Sequence, residues 1–389
     1  MIGPGRKSSF TDSSGDKRKI SVKRRFVYVS IVYFSFLLLL LCVELGTRLT
    51  MAHVSSLELF VNTSQQKAQV ADTKQSGIFE GDPLLLWRLK PNLEHAVWDY
   101  TVLSTNAQHL RSEYSGKSLL PKPAGTIRIV CLGDSVTFGY RVPAVWPDKP
   151  TEYDPSWLAY PMLLEKELRA ANPGRAVEVI TMAVPGYSSH QGLAWLRRDI
   201  DNLNPDLITI SFGWNDASMS DAPDRDTMRT NTSAVAVRWL IDHSQAFAHA
   251  TRWLRSRRAS GPDPAFRPVS RVSQEEYVAN MLAMVQLALG RNIGVIVIAA
   301  PYRDIVPTAP EGTLIPRYRD ELRTAVREQN VRFLEVLELT EKAYPSNEGW
   351  FGERIHPNHM GHRLMASELL TLMTLTGGVS DLKIPSLTP

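Results

Sequence analysis

The chain has 389 residues, of which 43% are hydrophobic and 22% are charged, and its formal net charge is +4. This length and composition allow one large globular domain or two ordinary ones with a sizeable core. Residues 1–25 contain eight Lys or Arg and two Asp, a net charge of +6, which leaves about −2 for the remainder. The basic charge therefore belongs to a short tail, which argues against the broad basic surface of a nucleic-acid-binding domain.

The first predicted element is a membrane-spanning helix that follows a disordered tail at 1–25. Residues 26–43 carry no charge, and Lys23, Arg24 and Arg25 precede them directly. Such a segment can cross a bilayer with help from its flanks, and a basic flank stays cytoplasmic. We predict an uncleaved signal anchor at 26–46 in the cytoplasmic membrane, with the rest of the chain outside the cytoplasm, on the periplasmic side in a Gram-negative cell. A cleaved signal peptide and a buried core helix are the alternatives, although no small-x-small cleavage site follows.

Residues 47–125 are predicted to form a stalk and then a small accessory β-region. The second half of this segment contains Trp87, Trp98 and Tyr100 within short β-prone stretches that polar turns separate. Aromatic residues between turn signals favour short strands. We therefore expect a few strands here that lead into the main domain.

From residue 126, short apolar strands alternate with amphipathic helices. Strands are predicted at 127–132, 177–182, 206–212, 294–300 and 332–336, and helices at 157–171, 190–203, 273–290, 318–329 and 361–374. This alternation is typical of a parallel sheet with helices on both faces. Residues 217–272 interrupt it, and we interpret them as an insertion beside the site, either a surface helix packed on the core or a substrate cap. Residues 377–389 are a terminal tail.

Four short segments lie where such a sheet binds its ligands, at the carboxyl ends of strands. They contain Ser135 in a Gly-Asp-Ser triplet, Gly186, Asn215 in a Gly-Trp-Asn-Asp segment, and His356 before the last helix. A serine hydroxyl needs a base to become a strong nucleophile, and histidine is the natural base near neutral pH. The developing oxyanion needs preorganised N–H donors, which the Ser135 and Gly186 backbone and the Asn215 amide can supply. The set predicts nucleophilic catalysis.

This arrangement resembles the SGNH (GDSL-type) hydrolase family over about residues 126–376, most closely in the stretch I-R-I-V-C-L-G-D-S-V-T-F-G at 127–139. The resemblance implies a flavodoxin-like three-layer α/β/α sandwich on a parallel five-stranded sheet, and ester hydrolysis or acyl transfer. It implies that Ser135 is the nucleophile, His356 the base, and Gly186 and Asn215 oxyanion donors. The anchor and pre-domain region are similar to those of bacterial members. The family has Asp three residues before the His, whereas Glu353 stands here, and we expect its carboxylate to complete the triad.

Other candidate sites are weaker. His356, His359 and His362 are spaced by three residues, as ligands on one helix face would be, but no matching carboxylate or cysteine cluster accompanies them. We therefore expect neither a metal nor another cofactor. Asp134 and Asp216 are expected to cap helices or brace loops rather than to act as acids.

The leading hypothesis is a serine esterase that removes or transfers small acyl groups on a cell-envelope carbohydrate, with O-acetylated polysaccharide as the preferred substrate. A lipid or lysophospholipid esterase is the alternative within that class, although residues 217–272 are polar for an apolar cap. A non-catalytic glycan-binding or assembly protein that retains the fold is the alternative from another class, and only Glu353 supports it. The predicted partners are an acylated glycan or lipid and the membrane, without nucleic acid.

Overall fold

The computed structural model describes residues 22–54, 59, 77–112, 120–142, 154, 156–233, 235–258, 268–302, 310–336, 349–352, 354–376 and 378–387, without the side chains of 22, 230–233, 258 and 310–313. Most of the N-terminal tail predicted at 1–25 lies outside these residues. The predicted triad residue Glu353 also lies outside them.

A long apolar helix precedes the folded domain. Helix α1 spans Val22–Thr50, and its apolar side chains are exposed on all sides of the helix axis. A core helix of a soluble domain would instead bury one apolar face. By length and composition α1 can cross a membrane, a test that a signal sequence near the N-terminus also passes.

Two antiparallel hairpins come next in the chain. Their strands are β1 (Phe79–Asp82), β2 (Leu86–Leu89), β3 (Ala96–Trp98) and β4 (Thr101–Leu103). The carboxylate of Asp82 accepts the backbone N–H groups of Leu84 and Leu85, each at 2.8 Å, and so closes the first turn. Trp87 and Trp98 are buried in the same apolar cluster as one face of the main sheet. The hairpins therefore share the core of the main domain.

The main domain is built on a five-stranded parallel sheet. The remaining strands are β5 (Ile127–Gly133), β6 (Val177–Ala183), β7 (Leu207–Ser211), β8 (Met219–Ser220), β9 (Val269–Ser270), β10 (Gly294–Ile298) and β11 (Arg332–Leu334). The sheet order is β11-β10-β7-β5-β6, and β8 and β9 form a separate antiparallel pair. Numbering the five sheet strands along the chain gives the flavodoxin-like order 2-1-3-4-5. The predicted fold class is confirmed.

Helices cover both faces of this sheet. They are α2 (Ser135–Phe138), α3 (Tyr160–Ala171), α4 (Ser189–Leu203), α5 (Trp214–Ala217), α6 (Asp224–Ser233), α7 (Val235–His243), α8 (Gln245–Arg258), α9 (Gln274–Leu289), α10 (Pro310–Glu328) and α11 (His359–Met373). Successive side chains of a strand point to opposite faces. Ile129 and Cys131 accordingly pack against α3 and α11, whereas Val130 and Leu132 share a cluster with α4, α9 and α10. Three layers result.

The predicted strands and most predicted helices match the observed ones within a few residues, and two helix starts differ. Helix α3 begins at Tyr160 rather than at 157, with Pro161 in its first turn. Proline is tolerated there but breaks a helix interior, so an earlier start is disfavoured. Helix α10 begins at Pro310 rather than at 318 and runs through Pro316.

Candidate active site

Ser135 lies at the carboxyl end of β5, at the first position of α2. Asp134 caps this helix, because its Oδ1 accepts the N–H of Val136 at 3.0 Å. Gly133 allows the tight passage from strand to helix, since a Cβ atom at this position would lie 2.1 Å from Oγ1 of Thr137. The position of Ser135 is therefore determined by contacts within a few residues of it.

The imidazole of His356 meets Ser135 across 221 positions of the sequence. Its Nε2 atom lies 2.8 Å from the Oγ atom of Ser135, a normal length for a hydrogen bond that the hydroxyl donates. The ring of Tyr140, which the sequence analysis did not select, packs against the imidazole with 4.6 Å between centroids. In the backbone, the N–H of Gly352 donates to the carbonyl oxygen of His356 at 3.0 Å. The two predicted residues are thus in direct contact.

The orientation of Glu353 stays a prediction from the sequence. The residues on either side of it form a tight loop, in which Phe351 and Pro357 make an isolated antiparallel bridge. The guanidinium of Arg354 lies 5.7 Å from the ring centre of Trp214, next to the Asn215 segment. The described residues around position 353 are therefore packed beside the site.

The Gly186 loop, defined as residues 184–188, connects β6 to α4. Gly133, the last residue of β5, pairs with Ala183 of β6, so this loop starts beside the Ser135 turn. Gly186 has φ +83°, a conformation that favours glycine. Within the described part of the chain, the N–H groups of Ser135 and Gly186 donate to no protein acceptor. Both N–H groups are available to a ligand.

Asn215 contacts both the turn that carries Ser135 and the Gly186 loop. Its Nδ2 atom donates to the carbonyl oxygen of Tyr187 at 3.0 Å and to Oδ2 of Asp134 at 3.2 Å. Burial raises the pKa of Asp134 to about 6, against the lowering effects of the N–H of Val136, the nearby His356 and the Asn215 amide. The Asn215 amide therefore lies between the Gly186 loop and the Ser135 turn.

The second predicted brace, Asp216, supports the start of α4. Its carboxylate accepts both the hydroxyl and the backbone N–H of Ser189, and Asn280 donates to the same hydroxyl at 3.1 Å. Burial raises the pKa of Asp216 to about 7, although the hydrogen bonds from Ser189 oppose this rise. Asp216 thus braces the element that follows the Gly186 loop.

The other two histidines of the His356 cluster have partners of their own. His359 stacks on Trp157 with 3.9 Å between ring centres. The Nδ1 atom of His362 accepts the N–H of Tyr160 at 3.2 Å, and burial lowers the pKa of His362 to about 3. Among the described residues, no group of three His, Cys, Asp or Glu side chains is arranged to hold a metal ion.

A buried ion pair that the sequence analysis missed supports the Gly186 loop from the insertion. Arg271 binds both carboxylate oxygens of Asp224, at 3.0 and 2.7 Å, and both side chains are almost fully buried. Its Nη1 atom donates to the carbonyl oxygen of Gly186 at 2.7 Å. The hydroxyl of Ser188 donates to Asp224 as well, at 2.5 Å. These contacts bind the insertion to the loop, and no sequence spacing indicates them.

The accessory hairpins support the same loop from another side. Nε1 of Trp87 donates to the carbonyl oxygen of Pro185 at 3.4 Å, and the hydroxyl of Tyr187 donates to the carbonyl oxygen of Trp87. Nε2 of Gln191 donates to the carbonyl oxygen of Leu85 at 2.8 Å. Side chains from two added segments therefore converge on one loop of the site.

A GDSL-like lipase/acylhydrolase family model matches residues 131–364, more than half of the chain. Comparison with curated proteins finds no significant match.

Among solved structures, the acetylxylan esterase Axe2 from Geobacillus stearothermophilus has a TM-score of 0.40 at 16% identity, over 63% of this chain and 93% of that one. The lipase/acylhydrolase from Enterococcus faecalis has a TM-score of 0.41 at 18% identity, over 67% and 99%. LAE5, an α/β hydrolase enzyme from the metagenome of Lake Arreo, Spain, has a TM-score of 0.41 at 18% identity, over 63% and 94%. The matched residues 131–364 contain Ser135, Gly186, Asn215 and His356, and the chain belongs to the GDSL-like lipase/acylhydrolase family.

Proposed function

We propose that this protein is a serine esterase in which Ser135 attacks an acyl ester and His356 accepts the proton of the serine. The contact of 2.8 Å between Nε2 of His356 and Oγ of Ser135 carries the proposal, because a nucleophile and its base must lie within hydrogen-bond reach. Membership of the GDSL-like lipase/acylhydrolase family supports an acyl ester as the reacting group.

The proposed reaction has two displacement steps. In the first, Oγ of Ser135 bonds to the ester carbonyl carbon and its proton passes to Nε2 of His356, which gives a tetrahedral oxyanion. His356 then protonates the departing alcohol and the acyl group stays on Ser135. In the second step, water or an acceptor hydroxyl gives its proton to Nε2 of His356 and bonds to the acyl carbon. The bond from that carbon to Oγ of Ser135 then breaks, and His356 returns the proton to Oγ. Glu353 is proposed to stabilise the imidazolium that forms in each step.

The oxyanion of each step needs N–H donors. We assign this role to the backbone N–H groups of Ser135 and Gly186 and to the amide of Asn215. The bond to the carbonyl oxygen of Tyr187 orients one N–H of the Asn215 amide, and the other faces Asp134 at 3.2 Å. Donation to the oxyanion would replace this second, longer contact.

The proposed substrate is an O-acylated carbohydrate of the cell envelope that carries a small acyl group. Its basis is the predicted position of the domain outside the cytoplasmic membrane. Esters of lipids and lysophospholipids are the alternative, and acyl chain length separates the two classes.

The test uses the full-length chain in detergent with a fluorophosphonate probe and with p-nitrophenyl esters from acetyl to palmitoyl. We expect the probe to label the wild type and Ser156→Ala, a change at an exposed serine, but not Ser135→Ala. We also expect kcat/KM to be highest for the acetyl ester. An unlabelled wild type would favour a non-catalytic protein, and a preference for palmitoyl esters would favour a lipid esterase.

We further propose that α1 is retained as a membrane anchor with the domain outside the cytoplasm. The carboxylate of Glu44 accepts the N–H groups of Gln245 at 2.9 Å and Ala246 at 3.0 Å, and so caps the start of α8. Arg48 donates to the carbonyl oxygen of His243 at 3.0 Å. Cleavage of α1 would remove this cap from the insertion. A reporter fused after Pro389 should be active only outside the cytoplasm, whereas a shorter, membrane-free mature chain would contradict the anchor.

A further inference from the structure

The insertion exposes an unusual share of apolar side chains. Among the described residues outside α1, thirteen large apolar side chains are exposed, and six of them lie in the short helices α7 and α8. The only exposed tryptophans in the described part of the chain are Trp239 (58%) and Trp253 (52%), both in these helices. Such a concentration marks an interaction surface rather than ordinary solvent exposure.

Helices α7 and α8 meet at Ser244, where one helix ends and the other begins. The N–H of Ser244 donates to the carbonyl oxygen of Leu240 at 2.8 Å, the last bond of α7, and the N–H of Ala248 donates to that of Ser244 at 2.9 Å, the first bond of α8. The N–H groups between these two bonds donate to the side chains of Glu44 and Ser244 and not to α7. Ile241 of α7 and Ala248 of α8 pack with Val54 in a small apolar cluster, so one side of each helix is buried.

Each of the two helices carries one exposed pair of apolar side chains. Trp239 and Leu240 lie in α7, and Trp253 and Leu254 lie in α8. All four side chains are at least 40% exposed. We call these four residues the interfacial face.

The interfacial face starts beside the end of α1. The ring of Trp239 stacks on His243 with 4.4 Å between centres, and the carbonyl oxygen of His243 accepts from Arg48 at 3.0 Å. Arg48 follows Val43, the last residue of the uncharged segment, by five positions, roughly 7.5 Å along a helix. The polar headgroup layer of a bilayer is about 5–8 Å thick on each side. If residues 26–43 cross the hydrocarbon core, the Trp239 end of the face lies at headgroup depth.

The charged residues of α8 are also compatible with a position in the headgroup layer. The helix contains no acidic residue, and Arg252 and Arg257 are exposed near its C-terminal end. The guanidinium of Arg257 lies 4.1 Å from the ring centre of Trp253. Tryptophan and arginine together are typical of helices that lie in a membrane interface containing anionic lipids.

We infer that the interfacial face rests on the surface of the membrane that α1 enters, and that its partner is the anionic phospholipid headgroup layer. The inference rests on the proposal that α1 spans that membrane. Trp239, Leu240, Trp253 and Leu254 enter the headgroup layer, while Arg252 and Arg257 bind lipid phosphates. The chain then has two contacts with the bilayer, which hold the domain in one orientation. The insertion is a membrane support and not a cap over the substrate.

The test uses tryptophan fluorescence, because α1 contains no tryptophan. Full-length protein is reconstituted into phosphatidylglycerol–phosphatidylcholine vesicles with and without brominated acyl chains, which quench tryptophans that touch lipid. We expect quenching of the wild type, partial loss of quenching in Trp239→Phe and in Trp253→Phe, and nearly complete loss in the double variant. Trp195→Phe, a change at a buried tryptophan, should keep the wild-type quenching. Quenching should weaken in vesicles of phosphatidylcholine alone.

Flotation of the same samples tests the membrane anchor α1 separately from the interfacial face. Wild type and double variant should both float with the vesicles, because α1 is unchanged. A wild type that does not float would overturn the anchor and with it this inference. Flotation with equal quenching in the wild type and the double variant would overturn the inference alone. An unquenched wild type that self-associates through the two tryptophans would also overturn it, and would assign the face to a second copy of the chain.

Discussion

The Ser135 turn and the Gly186 loop follow neighbouring strands, yet different kinds of contact hold them. Asp134 and Thr137, both within two residues of Ser135, shape its turn. The Gly186 loop instead depends on side chains that are far away in the sequence. Arg271 of the insertion donates to the carbonyl oxygen of Gly186. Trp87 of the first hairpin donates to the carbonyl oxygen of the preceding residue, Pro185.

The core fold therefore places Ser135, and the added segments place the Gly186 loop. Ser135, the proposed nucleophile, is held by the strand-to-helix turn of the core fold, which a short motif encodes. The second proposed oxyanion donor is placed by elements added around that fold. Changes in the hairpins or the insertion should therefore affect the Gly186 loop before they affect Ser135. Variants at Glu353, Asn215 and Arg271 test this separation.

The largest expected effect is on the Ser135 side, at Glu353. Glu353→Gln should reduce kcat about 10⁴-fold, because an amide in place of the carboxylate favours the wrong histidine tautomer. Glu353→Asp restores the residue that the family pattern carries and should keep most activity. The measurement is kcat on the ester that the wild type hydrolyses best. A nearly silent Glu353→Gln would mean that a backbone carbonyl group orients His356.

A smaller effect is expected where the two regions meet, at Asn215. Asn215→Ala removes the amide that contacts both Asp134 and the carbonyl oxygen of Tyr187. We expect kcat to fall on the order of 10²–10³-fold with little change in KM, as for the loss of one oxyanion donor. A change confined to KM would instead indicate that the amide binds substrate and transition state equally.

The smallest expected effect on catalysis is at the Gly186 loop, through Arg271. Arg271→Met leaves the buried Asp224 carboxylate without its cationic partner and should lower the free energy of unfolding by about 3–5 kcal/mol. The double variant Arg271→Met with Asp224→Leu should recover that stability, because no charge is left unpaired. Its kcat should stay roughly 10-fold below wild type, since the carbonyl group of Gly186 has lost its donor and the loop is less well positioned.

The matched control for this experiment is Arg291→Met. Arg291 forms an ion pair of 2.7 Å with Asp201, but both side chains are exposed, and such pairs contribute less than about 1 kcal/mol. Stability by denaturant unfolding and kcat should both stay near wild type. A double variant at Arg271 and Asp224 with wild-type kcat would show that the buried pair supports the fold without positioning the loop.

Much of this protein could be predicted from the sequence because the relevant signals are local. Apolar runs of strand length alternate with amphipathic helices, and this pattern predicts the layered sheet. The Gly-Asp-Ser triplet encodes its own turn through Asp134 and Gly133. His356, 221 positions away, was connected to Ser135 by its place before the last helix, by the chemistry of a histidine base and by family resemblance, since no local pattern links the two residues. The observed α10 starts eight residues earlier than predicted and runs through Pro316, although proline disfavours a helix interior.

The sequence by itself determined the order of elements, the apolar α1 and the residue types at the strand ends, because each of these depends on neighbours in the chain. Only the tertiary structure decided which distant side chains meet. Arg271 and Asp224 are 47 positions apart and join only because β8 and β9 bring the two ends of the insertion together. The interfacial face likewise emerges from the way α8 packs beside the end of α1. Its side chains form a surface only when folding buries Ile241 and Ala248 of the same two helices against Val54.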